Sequence, residues 1–151
     1  MSSTATQSPS AAYTTADVDA TVSELYTVFN RRDFGALQRL VPDDATLTIM
    51  PTGETVRGAA GVEQFMRGWV DAFSDGHIEI DTLAQGGDIV VCEFHGIGTH
   101  SGTLRTPVGD IAATGRPVNV PFCDVIQLRD GRIAAMRTYF DAATFVRQLQ
   151  G

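Results

Sequence analysis

The feature that most constrains this chain is a change of hydrophobic period part-way along it. Before about residue 75, apolar residues mostly recur at helical spacing. From about residue 77 they alternate or run together as in strands, up to a hairpin signal at Leu128-Arg129-Asp130-Gly131-Arg132. Helical segments followed by long strands on short turns give an α+β class, with helices packed on one face of an antiparallel sheet.

The segments read as follows. Val18, Val22, Leu25, Tyr26 and Phe29 mark a helix that starts at Thr15 as N-cap, with Asp17 and Asp19 in its first turn. A short second helix covers 33–40 and is ended by Pro42, and residues 45–50 form a strand closed by Pro51-Thr52-Gly53. The third helix, 60–74, carries Val62, Phe65, Met66, Trp69 and Phe73 on one face. Strands are expected at 77–85, 88–99, 116–128 and 132–140, then a terminal helix at 142–149. The Ser/Thr/Ala-rich residues 1–14 read as a disordered tail, and 15–151 as a single domain without repeats or linker.

Composition narrows the function classes. At 151 residues the chain has the size of one domain. Its net charge of −7 gives no general attraction to nucleic acid or anionic membrane, so neither is an expected partner. All 11 basic residues are Arg, a bias that points to a GC-rich bacterial genome. Cys92 and Cys123 make no CxxC pair, residues 1–20 lack the basic and apolar regions expected of a signal peptide, and no apolar run is long enough to span a bilayer, so a cytoplasmic location is expected.

Three stretches then carry a family resemblance. They are Phe29-Asn30-Arg31-Arg32-Asp33-Phe34 with 43–47, Val56-Arg57-Gly58 with 65–69, and the run 122–141. In this order the chain resembles the nuclear transport factor 2-like superfamily, and within it the SnoaL-like polyketide cyclases. The ketosteroid isomerases and limonene epoxide hydrolases are more distant. The resemblance implies a cone-shaped α+β barrel, its sheet wrapped by three N-terminal helices around one apolar pocket. It also implies chemistry without a cofactor and a homodimer formed through the convex sheet face, where Cys123, Val125, Gln127, Ile133 and Tyr139 make a mixed surface. Carried over position by position, the isomerases' base falls on Met50, before Pro51, and their oxyanion-hole Tyr on Leu25, with Tyr26 one step away. The cyclases' acid/base falls on Thr138, after Arg137, and the hydrolases' Arg and Asp on Phe94 and Gly96. Only the isomerases' oxyanion-hole Asp is retained, as Asp124.

The turn at 128–132 decides which face Asp124 occupies. A two-residue Asp130-Gly131 loop sets Asp124 opposite Arg137. A three-residue loop with Gly131 in a bulge sets it opposite Met136, with Phe122 opposite Thr138. The second reading collects Val120, Phe122, Asp124, Ile126, Ala134, Met136, Thr138 and Phe140 into an apolar wall bearing one carboxyl, and is preferred on that ground. A desolvated carboxyl there would have a raised pKa, whereas one beside Arg137 would be ionised. The plain alternative for Asp124 is a buried polar group satisfied by backbone or by a Tyr.

Phe65 and Trp69 are placed over the pocket, with simple core packing as their alternative. The expected pocket set is Tyr26, Met50, Phe65, Trp69, Phe94, Phe122, Met136, Thr138 and Phe140. His95 faces away if Phe94 faces in; with the register reversed it becomes an acid/base candidate beside Glu93. His100 reads as a rim or loop residue and His77 as exposed. The scattered His and Cys match no metal spacing, and no cofactor motif occurs. The resulting expectation is a cyclase- or isomerase-type enzyme, or else a binding protein with a vestigial site, for an apolar polycyclic carbonyl compound such as a polyketide intermediate. A dimeric scaffold with a collapsed cavity is the third possibility. If the protein is an enzyme, Asp124 acts on an enolate oxygen and the base is missing.

Overall fold

The computed structural model describes residues 20–151, so the tail 1–14 and the proposed cap at Thr15 lie outside the described residues. The elements are α1 (Ala20–Arg31), a 3-10 turn (Phe34–Ala36) running into α2 (Leu37–Leu40), β1 (Thr46–Ile49), β2 (Glu54–Arg57), α3 (Gly58–Ala72), β3 (His77–Gly86), β4 (Ile89–Thr99), β5 (Leu104–Thr106), β6 (Gly109–Ile111), β7 (Pro117–Arg129), β8 (Arg132–Phe140) and α4 (Ala142–Gln150). The class is α+β, as the segregated periods require. The β2 strand and the small β5–β6 hairpin were not expected. They are three or four residues long, too short to show a period.

Six strands form one curved sheet in the order β2-β1-β8-β7-β4-β3, and β5–β6 stand apart as a hairpin. The sheet is not a pure meander. β1 pairs parallel to β8, with Leu47 beside Met136 and Ile49 beside Thr138. The chain therefore lays an early strand against its last one, and α3 crosses between.

The β7–β8 hairpin departs from both registers read from the sequence. The loop is the two-residue one: Asp130 (φ 54°) and Gly131 (φ 73°) both take the left-handed conformation of a type I′ turn, and Arg129 pairs with Arg132. The extra residue lies inside β8. Leu128 pairs with Ile133 but Gln127 with Ala135, so Ala134 is a bulge. Beyond it Ile126 faces Met136, Asp124 faces Thr138 and Phe122 faces Phe140. Asp124 thus shares the apolar face, as preferred, but opposite Thr138 rather than Met136. A second bulge, between Ile80 and Thr82, bends β3 against β4. Bulges bend their strands, and these two help curl the sheet around the helices.

α1 and α3 fill the concave side. Leu25, Leu37, Leu47, Val90, Cys92 and Ile126 are almost fully excluded from water there. α4 packs on β7. Asp141 caps it, its Oδ1 accepting from Thr144 N–H at 3.0 Å. Phe145 and Leu149 pack with Val118 and Val120 of β7.

Candidate active site

The concave side keeps a cavity of about 90 Å³ open among these elements. Its walls are almost wholly apolar. α3 contributes Trp69, whose ring centroid lies 6.2 Å from Phe65, 5.8 Å from Phe122 and 5.5 Å from Phe145, all edge-on. Phe94 and Phe122, neighbours across β4 and β7, stack at 4.9 Å with only 11° between their planes. Offset and edge-on aromatic pairs of this kind are rigid and present flat faces.

One polar group of consequence lies in this wall. Asp124 is buried, its Oδ2 accepting a 2.7 Å hydrogen bond from Tyr26 Oη, and its Oδ1 has no well-formed partner. Thr138 stands directly across the ladder on β8, and Cys92 across it on β4. Burial pushes the Asp124 carboxyl up to about 6; the Thr138 hydroxyl and the Tyr26 phenol, which favour the anion, offset this only in part. Burial and the neighbouring carboxyl in turn hold the Tyr26 phenol well above its ordinary range. The buried Cys92 thiol is pushed up to about 12, chiefly by desolvation, so it stays protonated.

Most of the residues expected around the pocket line it. Tyr26, Phe65, Trp69, Phe94, Phe122, Met136, Thr138 and Asp124 all reach the cavity. Tyr26 sits one helix position past the place where the resemblance set its oxyanion-hole Tyr, and it is Tyr26 that reaches Asp124. Three readings need correction, and the reversed register that would have made His95 an acid/base candidate is not adopted. Met50 lies in the turn after β1, is 39% exposed and does not touch the cavity, because β1 ends at Ile49. Phe140 packs behind Trp69 and Phe122, at 5.7 and 5.1 Å, in the second layer of rings. His95 is on the convex face, where Nε2 meets Asp81 Oδ2 at 3.1 Å and Nδ1 meets Asn119 Oδ1 at 2.6 Å; strand alternation puts Phe94 inside and His95 outside. His100 is no rim residue. It is fully buried against Phe73 at 5.3 Å, and its Nδ1 accepts from Thr114 N–H at 3.2 Å.

The sequence reading left out Phe29, Phe73, Val118 and Phe145 as cavity residues. Phe29 and Phe73 were already on the apolar faces of their helices. Phe145 had only the amphipathic pattern of the last helix to signal it. Among the described residues no group of three or more His, Cys, Asp or Glu side chains gathers as a metal-ligand set, and no helix is long and apolar enough to cross a membrane.

The same span that builds this cavity, residues 20–149, matches the family model for the SnoaL-like polyketide cyclases. The chain belongs to the SnoaL-like polyketide cyclase family. Solved structures agree with that placement. The candidate polyketide cyclase IdmH from Streptomyces antibioticus is 26% identical, with a TM-score of 0.73 over 87% of this chain and 97% of that one. TsrD from Streptomyces laurentii is 24% identical, with a TM-score of 0.74 over 90% of this chain and 96% of that one. An LEH-like epoxide hydrolase from M. tuberculosis shares the fold, at 19% identity and a TM-score of 0.66 over 87% of this chain and 88% of that one. Among curated proteins none matches the chain significantly.

Proposed function

We propose that this SnoaL-like protein is a cofactor-independent enzyme of cyclase or isomerase type. Its substrate would be a flat, apolar carbonyl compound of the polyketide-intermediate class, and Asp124 would transfer the proton. The observation that carries this reading is the lone carboxyl in an aromatic cavity, with one oxygen held by Tyr26, the other without a well-formed partner beside Thr138, and a pKa raised to about 6.

A pKa near 6 supports Asp124 itself as the base. A general acid/base works best when its pKa lies near the working pH. At pH 7 a group with pKa 6 is about nine-tenths ionised. The Asp124 carboxylate takes a proton from the carbon α to the substrate carbonyl, leaving an enolate and a neutral carboxylic acid. Isomerisation follows when the acid returns that proton to another carbon of the enolate. Cyclisation follows when the enolate carbon bonds to a second carbonyl carbon and the acid protonates the resulting alkoxide. Either way the carboxylate is regenerated. Tyr26 holds Asp124 Oδ2 and leaves Oδ1 to the substrate. The aromatic walls exclude water and stack on a planar ring system.

The test is turnover of polycyclic ketones set against the titration of Asp124, followed by carbon-13 NMR of its carboxyl. Asp124→Asn is expected to lose about 10²–10⁴-fold in rate, with the fold intact. Tyr26→Phe, which removes a donor that favours the anion, is expected to raise the Asp124 pKa and move the pH–rate inflection with it. Ligand affinity that survives Asp124→Asn, with no turnover of any ketone by the wild type, would assign the protein to binding rather than catalysis.

A further inference from the structure

The cavity lining comes nearest to solvent at the start of β3. Of its described lining residues only His77 is exposed, and it lies between Gly76 and Ile78 at the start of β3, with Ile97 of β4 beside it. β3 is the edge strand of the sheet, so its outer backbone groups have no neighbouring strand. The end of α1 takes that place. The Asn30 side chain makes both bonds a paired strand would make to Ile78: Nδ2 donates to its carbonyl at 3.0 Å, and Oδ1 accepts from its N–H at 2.7 Å. Two residues on, the Arg32 guanidinium donates to the carbonyls of Phe29 at 2.8 Å, Ser74 at 3.1 Å and Gly76 at 2.7 Å. It also lies 5.0 Å from the Phe29 ring centroid, and Phe29 lines the cavity. Among the described residues Arg32 makes no ion pair. Its φ of 59° is a left-handed conformation that a non-glycine residue rarely adopts. Such an outlier persists only where the surrounding contacts hold it.

The opposite side of this approach is fixed separately. Asp75, in the turn between α3 and β3, accepts from Thr99 N–H at 2.8 Å, which holds its carboxyl below the usual range. A Cβ on Gly98 of β4 would meet Gly76 Cα at 3.1 Å, so the turn sits tight against the strand. The turn is fastened to the sheet, so an opening on this side has to break the contacts that Asn30 and Arg32 make from the end of α1.

We propose that Asn30 and Arg32 form the gate of the cavity. The ligand enters and leaves when the last turn of α1 releases Gly76 and Ile78, and the two side chains set the rate of that opening. This rests on the cavity being the ligand site. It assigns the pair a role in exchange and none in proton transfer. Tyr26 lies a full helical turn deeper, and its bond to Asp124 does not pass through either residue.

The experiment follows uptake and release of 1-anilinonaphthalene-8-sulfonate by stopped-flow fluorescence, with energy transfer from Trp69. Arg32→Gly deletes the guanidinium and places glycine where the left-handed backbone favours it, so the fold is retained. Asn30→Ala deletes the strand-mimicking pair. In each variant the association and dissociation rates are expected to rise together, by about tenfold to a hundredfold, the scale for loss of charge-assisted or paired hydrogen bonds. The Kd would stay within about twofold and the Asp124 carbon-13 titration would not move, because opening is sped without changing the closed site. The Ile78 amide, which loses its acceptor in Asn30→Ala, would exchange with solvent faster, and this reports on the clasp without any probe. Unchanged exchange rates in both variants would overturn the gate alone. A shifted Asp124 titration would overturn it as well, by making the pair part of the site's structure. Failure of the wild type to take up any apolar probe would overturn the gate together with the ligand-site reading.

Discussion

The concave and convex faces of β4, β7 and β8 are built from alternate residues of the same strands, and they treat the same chemical groups in opposite ways. Inside, Cys92, Phe94, Phe122 and Asp124 face the helices, and the carboxyl meets one phenol and no cation. Outside, one residue along, Glu93, His95, Cys123 and Tyr139 are exposed or half-exposed, and His95 finds both a carboxylate and an amide. A carboxylate in water needs no partner, and a partner near it adds little. A carboxylate in an apolar wall is costly when ionised, and its pKa rises until water or a substrate relieves it. The difference between the faces is solvent rather than residue type.

Several experiments sharpen or break that contrast. The largest stability difference is expected between two aromatics. Trp69→Ala removes the ring that joins Phe65, Phe122, Phe140 and Phe145 and should cost about 3–5 kcal/mol. Tyr139→Ala, on a side chain 39% exposed, should cost under about 1 kcal/mol in the same urea titration. Equal losses would mean that the cavity wall is not a packed aromatic unit.

Next comes the pH dependence of stability. The fold binds the Asp124 proton more tightly than the unfolded chain does, with the pKa rising from 3.8 to about 6. The stabilisation from this group is therefore fully present below about pH 4 and is lost as pH rises through 6. By pH 8 the loss approaches about 3 kcal/mol. In Asp124→Asn, which is neutral at every pH, this component should vanish, so the variant should gain on the wild type as pH rises from 4 to 8. The same substitution that removes turnover should thus cost less stability, relative to wild type, at neutral pH than at pH 4. A wild type that gains stability from this group over the same range would place Asp124 among ionised, partnered carboxylates.

The smallest effect on chemistry belongs to the convex face. A homodimer formed through it is expected to sediment as such at micromolar concentration. Val125→Arg, within the half-buried patch of Val91, Cys123 and Val125, should give a monomer whose turnover stays within about twofold, because the site lies on the other face. A wild type that sediments as a monomer would remove the dimer.

Part of this was legible in the residues themselves. The change from helical to strand periods gave the class, whereas the two-residue turn at Asp130-Gly131 was the less favoured of the two readings weighed. Alternation put Phe122, Asp124, Ile126, Met136 and Thr138 on one wall, because side-chain direction in a strand is a local property with a period of two. Tertiary structure decided what alternation does not encode. The Ala134 bulge set Asp124 opposite Thr138, and such an insertion has no signature in a run of small residues such as Ala134-Ala135. Depth along the cone left Met50 outside the cavity and put Phe140 behind its wall. Tyr26 reaches Asp124 across 98 residues of chain, and the clasp at Asn30 and Arg32 joins segments more than 40 residues apart. Local sequence sets which way a side chain points. What it meets there depends on how bulges curl the sheet and how helices seat in the curl, and those are properties of the whole packed chain.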